Sequence, residues 1–185
     1  MLEFEDIITT HRMNPYSSGN TNGNGNYGGW EYSDMRAYLN STTYAYENID
    51  YSTSGIYNAL PSELKSKIID TPVVSGHGPR QSDNFYTTDK LYLLGAMEVY
   101  GSNPGEYDTA ASLTRQLDYY KAKGVTTSHY SGTIKKNLSG SASYWWLRSA
   151  YSNYNDRFYY VYLAGDWRYE ASNKLIGVSP AFRIG

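Results

Sequence analysis

The sequence predicts an α+β fold, and three observations carry that expectation. Helix signals, meaning caps and apolar residues at four-residue spacing, dominate the first two thirds of the chain. From Tyr144 the pattern turns to short aromatic and β-branched runs that suit strands. No internal repeat or domain boundary interrupts the 185 residues, so 1–185 reads as one domain with segregated helices and strands.

Taken in order, Leu2–Thr9 reads as a short strand. Residues 17–29, SSGNTNGNGNYGG, form a Gly/Asn-rich loop that is flexible or turn-like, because Asn and Gly tolerate positive φ. Ser33 is positioned to cap a helix through Asn40, with Asp34 in its first turn and Met35 and Leu39 on one face. A second helix is expected around Leu60, Leu64 and Ile68, with Pro61 in its first turn, Glu63 complementing the dipole, and Asp70-Thr71-Pro72 ending it. Residues 75–88 read as a polar loop and Leu91–Leu94 as a short buried strand. A third helix is predicted from about Ala110 to Lys123, stopped by Gly124. Strands follow at Tyr144–Arg148, Phe158–Leu163 and Ile176–Ile184, the last interrupted by Pro180.

Composition removes several function classes. There is no cysteine, which excludes disulfides, zinc-thiolate sites, iron–sulfur clusters and cysteine nucleophiles. Sixteen basic against 18 acidic residues leave a charge of −2, which gives no support for a nucleic-acid partner. No apolar run approaches the ~20 residues of a membrane helix, so no membrane insertion is expected, and the first residues carry no visible signal peptide. Leu, Ile, Val and Phe are scarce, but 22 tyrosines and four tryptophans supply bulk for both a core and a surface.

Candidate catalytic chemistry is thin. His11, His77 and His129 stand at no metal-ligand spacing and read as structural or solvent-exposed. Glu3, Glu5 and Asp6 read as solvated. Asp83, Asn84 and Asp89 offer oxygens to a calcium ion but lack EF-hand spacing, and no metal or other cofactor is expected. No serine sits in a G-x-S-x-G elbow, and the glycines of 17–29 are not a phosphate loop. The chain is therefore not expected to be an enzyme.

Residues 151–169, YSNYNDRFYYVYLAGDWRY, are different. Six of the 19 are tyrosine and most of the rest are small or polar. Tyr gives large contact area for two side-chain torsions, and small polar neighbours adapt their hydrogen bonds, which is the chemistry of a paratope. A Tyr-rich β-hairpin that merely packs is the competing reading, since Tyr also favours strands. The loop 151–157 leaves side chains free to face outward. In Phe158–Leu163, alternation sets Tyr160 and Tyr162 on one face and Val161 on the other. Asp166, Arg168 and Tyr169 fall in a Gly-initiated turn. A binding surface requires these groups to share one exposed face.

Four stretches carry a family resemblance over roughly residues 28–185: GWEYSDMRAYLN from Gly29, DKLYLL with EVYG from Asp89 and Glu98, WWLRS from Trp145, and GVSPAFRI from Gly177. Together they resemble a bacterial and phage domain family with a C-type-lectin-like fold, related in architecture to formylglycine-generating enzymes. They are also similar to the variable proteins of diversity-generating retroelements, in which adenine mutagenesis rewrites a C-terminal segment. Tyr, Asp, Ser, Arg and Gly are reachable that way from an Asn codon, and they fill the segment 151–173. Trp167 is not reachable and belongs to the scaffold.

The resemblance implies a scaffold of Trp145, Trp146, Leu147, Phe182 and Ile184, with Leu2–Thr9 pairing beside Pro180–Ile184. It implies a ligand surface of Tyr151, Asn153, Tyr154, Asn155, Asp156, Arg157, Tyr159, Tyr160, Tyr162, Asp166, Arg168 and Tyr169. The partner would be a protein or glycan on another cell or particle, and the setting a cell surface or phage particle. The chain departs from the catalytic relatives in lacking cysteines, and from calcium-dependent lectins in lacking their sugar-binding motifs. An enzyme with an unrecognised site and a structural module of a larger surface protein remain the alternatives.

Overall fold

The computed structural model describes all 185 residues. It is α+β, built from several small sheets and few helices, the longest of seven residues. No helix is long and apolar enough to cross a membrane.

The main sheet has five strands in the order Trp167–Ala171, Arg157–Val161, Trp145–Ala150, Ile176–Val178 and Thr9–His11. Its pairings are antiparallel except between Trp145–Ala150 and Ile176–Val178. Trp145–Ala150 is buried along its whole length. Both faces of this strand are covered, so its sequence shows no polar alternation. Trp145 and Trp146 are fully buried on opposite faces, and each indole N–H has a partner: Trp145 donates to Thr133 O (3.1 Å) and Trp146 to His11 O (2.9 Å).

The chain termini pair. Leu2 and Glu3 lie opposite Phe182 and Ala181, and Thr9–His11 lines Ile176–Val178. Pro180 marks the point where the last strand leaves the main sheet, because it has no N–H to continue a ladder. Ala181–Ile184 then joins a second sheet between Leu2–Glu3 and Ile68–Ile69.

The first helix, Asp34–Asn40, follows its local signals. Ser33 Oγ accepts the Arg36 N–H (3.1 Å), and Met35 and Leu39 are fully buried. Other expected elements differ. The second helix is two single turns, Ile56–Ala59 and Ser62–Lys65, split at Leu60, whose ψ of 150 reflects the crowding that proline imposes on the residue before it. Ile68 then pairs with Ile184 instead of continuing a helix. The third reduces to a 3₁₀ turn at Ala111–Leu113 and a helix at Asp118–Ala122. Thr114 between them is extended, and Gln116 turns its amide to Val99 O and Val125 O.

Residues 75–88 are not all loop: Thr71–Ser75 and Phe85–Asp89 form an antiparallel pair. Leu91–Leu94 is buried but bridges only at Tyr92–Ala181. Trp167–Ala171 is a strand where a turn was expected.

One acidic expectation also changes. Glu3 is not solvated: it pairs with the buried Lys135 (3.0 Å) and accepts from Tyr120. Burial raises its pKa, with Lys135 opposing that shift. Asp89 is buried, its carboxylate taken by Trp30, Arg36 and Thr87 at 2.6–2.9 Å, while Asn84 bonds to Thr109.

Candidate functional site

The Tyr-rich segment begins as a turn at residues 151–156 and becomes the hairpin Arg157–Val161 with Trp167–Ala171. The turn is held from outside. The side-chain amide of Asn26, itself buried, lies 3.0 Å from Tyr151 O, 2.6 Å from Tyr154 O and 3.0 Å from Arg157 O. The Asn26 backbone N–H also donates to Asn155 O (3.1 Å). Gly25 beside it has φ +56, and a Cβ there would strike the Asn155 carbonyl oxygen. The Gly/Asn-rich stretch 17–29 is therefore not slack chain; residues 23–29 are mostly buried and fasten the turn.

This arrangement frees the turn's side chains from holding its backbone. Tyr154 stacks on Tyr151 and Tyr169, which are themselves tilted by 31°, with ring centroids 4.2–5.9 Å apart. The Arg157 guanidinium lies 4.6 Å over Tyr154 and 5.4 Å over Tyr169, within cation–π range. Tyr154 is 43% exposed, Tyr169 and Arg157 are half-buried, and Tyr151 lies beneath them with Tyr107 against it (4.8 Å). Burial and the Tyr169 hydroxyl push Tyr151 up to about 12, so it stays a neutral phenol at neutral pH.

The register separates the candidates. Tyr159 faces Tyr169 and Tyr160 faces Arg168 across the hairpin, so alternate residues lie on opposite sides. Arg157 and Tyr169 belong to one side. Tyr162, Asp166 and Arg168 belong to the other, where Arg168 sits 3.8 Å over Tyr162, pairs with Asp166 (2.9 Å), and Tyr144 packs on Tyr162 (5.1 Å). The twelve candidates do not share one face.

Three of them are core. Tyr159 is fully buried and donates to Pro104 O (2.6 Å), Tyr160 packs edge-on against Trp146, and Tyr151 is covered by its neighbours. Val161 is buried like Tyr160, so alternation across this strand separates two buried faces, not an inside from an outside. Asn153, Tyr154 and Arg168 are exposed, and Asn155, Asp156, Arg157, Tyr162, Asp166 and Tyr169 are half-buried.

Residues 4–185 match the family described as Domain of unknown function (DUF6273). The chain belongs to that family. No curated protein and no solved structure matches it. In this DUF6273 chain the sequence reading missed Asn26, Tyr107 and Tyr144. Asn26 lies 125 residues from Tyr151, and nothing local distinguishes it from Asn22 or Asn24.

Asn26→Ala should cost about 2–3 kcal/mol, since three carbonyls lose a shared donor, the Tyr151 contact being buried and the Tyr154 and Arg157 contacts partly so. Denaturant unfolding measures it, and amide exchange should speed up in residues 151–157 first. A loss under about 0.5 kcal/mol would mean that the turn holds itself.

Proposed function

We propose that this domain is a ligand-recognition module of C-type-lectin-like architecture, presenting a Tyr-rich surface to a protein or glycan on another cell or particle. The observation that carries this reading is the Tyr154–Tyr169–Arg157 stack. It is an accessible aromatic and guanidinium surface on a turn whose backbone is fixed by a residue outside it. Aromatic and Arg side chains supply most hot spots in recognition surfaces, and rigid anchors lose little entropy on binding. The paired termini and the buried Trp145–Trp146 strand support the lectin-like comparison, because they keep the scaffold away from the presented side chains.

The paratope is smaller than the sequence implied. Asn153, Tyr154, Asn155, Asp156, Arg157 and Tyr169 form its principal patch, and Tyr162, Asp166 and Arg168 form a second patch across the hairpin. Tyr151, Tyr159 and Tyr160 serve as packing beneath them. Retroelement diversification fits the first group, whose side chains bear little folding load.

Two measurements test this reading. Sequencing the gene across isolates should find adenine-directed substitutions concentrated at the codons of the two patches, with Tyr159 and Tyr160 unchanged and a reverse transcriptase gene nearby. Substitutions spread evenly along the gene would remove the diversification. Screening the domain against glycan and cell-surface protein arrays should identify a ligand. For that ligand, Tyr154→Ala should cost about 2 kcal/mol of affinity, roughly 30-fold, while changing stability by under about 1 kcal/mol. A ligand bound equally well by Tyr154→Ala and Tyr169→Ala variants would sink the assignment to this patch.

A further inference from the structure

A cleft of about 620 Å³ shares no lining residue with the Tyr-rich turn. That volume is in the range of small-molecule sites. Val73, Leu113 and Leu117 give it apolar walls, and Arg148, Tyr92 and Glu98 lie at its base, with Arg183 at the edge.

The base is built by the fold. The pairing of Trp145–Ala150 with its neighbour is irregular between Trp146 and Ala150, and Arg148 N–H donates instead to Leu94 O (2.9 Å). Such irregularities re-aim a side chain out of the pleat. Arg148 is 3% exposed, and its guanidinium is only partly used by the protein. Nε donates to Val74 O (2.9 Å), and Nη1 donates to Leu93 O (2.8 Å) and to Glu98 (2.5 Å). Nη2 makes no hydrogen bond to the protein, and Arg148 is among the residues that line the cleft. Tyr92 is also 3% exposed, with its phenol close to Arg183, Glu98 and Arg148.

Charge selects the ligand. Arg148 is matched by Glu98, and Arg115 at the rim is matched by Asp118 (3.1 Å). Arg183 makes no ion pair, so the cleft's side chains leave a positive charge unmatched. Spare guanidinium N–H groups, a phenol and an unmatched positive charge above apolar walls fit a planar anion carried on an apolar body.

We propose that this cleft is a second binding site, separate from the Tyr-rich surface, for a carboxylate attached to an apolar group. The carboxylate would accept from Arg148 Nη2 and Arg183, and the apolar body would lie against Val73, Leu113 and Leu117. A free organic acid and the C-terminal end of a peptide carry the same chemistry.

An NMR titration of the isotope-labelled domain tests this, using phenylacetate, phenylacetamide and N-acetyl-Gly-Phe with a free carboxylate. Phenylacetate should give saturable shifts at the Val73, Leu113 and Leu117 methyls, and phenylacetamide should bind about tenfold more weakly or worse. The peptide binding more tightly than phenylacetate would identify a chain end as the source, and the reverse order a free acid; both uphold the carboxylate site. Arg183→Gln, at an exposed position, should weaken phenylacetate about fivefold while leaving the melting temperature unchanged. Tyr92→Phe, which keeps the ring, should weaken it by a smaller factor. No saturable shifts, equal binding of the amide, or an Arg183→Gln variant that binds like the parent would each overturn the proposal.

Discussion

Trp146→Ala should lower stability by about 3–5 kcal/mol, the cost of removing a fully buried large aromatic side chain and leaving a cavity. The indole has no exposed surface, meets Tyr160 edge-on at 6.1 Å, and donates to His11 O at 2.9 Å. The alanine variant loses that packing and also strands the His11 carbonyl, which lies next to the paired Thr9–His11 and Ile176–Val178 strands. A domain of this size has about 5–15 kcal/mol in all, so the melting temperature should fall by about 10 °C or more. Trp146→Phe should fall between the two, because it restores much of the volume but not the N–H. Circular dichroism melts and urea titrations measure both effects. An alanine variant melting within about 2 °C of the parent would show that this strand is not the centre of the core.

What the sequence made legible was local. Ser33, Asp34, Met35 and Leu39 sit within one short segment, and their capping and spacing are realised as read. The strand expected at Tyr144–Arg148 appears as Trp145–Ala150. The pairing of the termini, which came from the family resemblance and not from local signals, is present between Leu2–Glu3 and Ala181–Phe182. What was hidden depended on distant partners. Leu60, Leu64 and Ile68 have helical spacing, but Pro61 breaks the run and Ile184 recruits Ile68 into a sheet. Tertiary pairing outweighs propensities worth fractions of a kcal/mol per residue.

Tyrosine hid the site. Tyr159 is fully buried and Tyr154 is 43% exposed, although they are five residues apart and chemically identical. A side chain with an apolar ring and a polar tip is at home in either place. Only the hairpin register and the cross-strand pairing of Tyr159 with Tyr169 distinguish them. Arg148 was hidden in a related way. Within the WWLRS stretch it is a buried charge whose partners, Val74, Leu93 and Glu98, come from other segments.

That buried charge gives the second large effect. Glu98 is in the first turn of the helix Ala96–Tyr100, where its Oε2 accepts the Gly95 N–H (2.7 Å) and an Arg148 N–H (2.5 Å). Their side chains are 13% and 4% exposed, so water does little to screen the pair. The Arg148 pKa is raised: burial works against its charge, and Glu98, with Asp108 and Tyr92 adding to it, outweighs burial. Glu98→Ala removes the leading part of that offset but leaves the burial, and it also uncaps the helix. It should cost about 3–5 kcal/mol, as breaking one side of a buried ion pair does. Glu98→Gln, which retains an acceptor without the charge, should cost less. Arg148→Met combined with Glu98→Ala should be destabilised by at least about 2 kcal/mol less than the two single changes added together, because no unpaired charge remains. Denaturant unfolding of the four proteins gives that coupling directly. A coupling below about 0.5 kcal/mol would mean that Arg148 is held by the Val74 and Leu93 carbonyls alone, with Glu98 acting only as a helix cap.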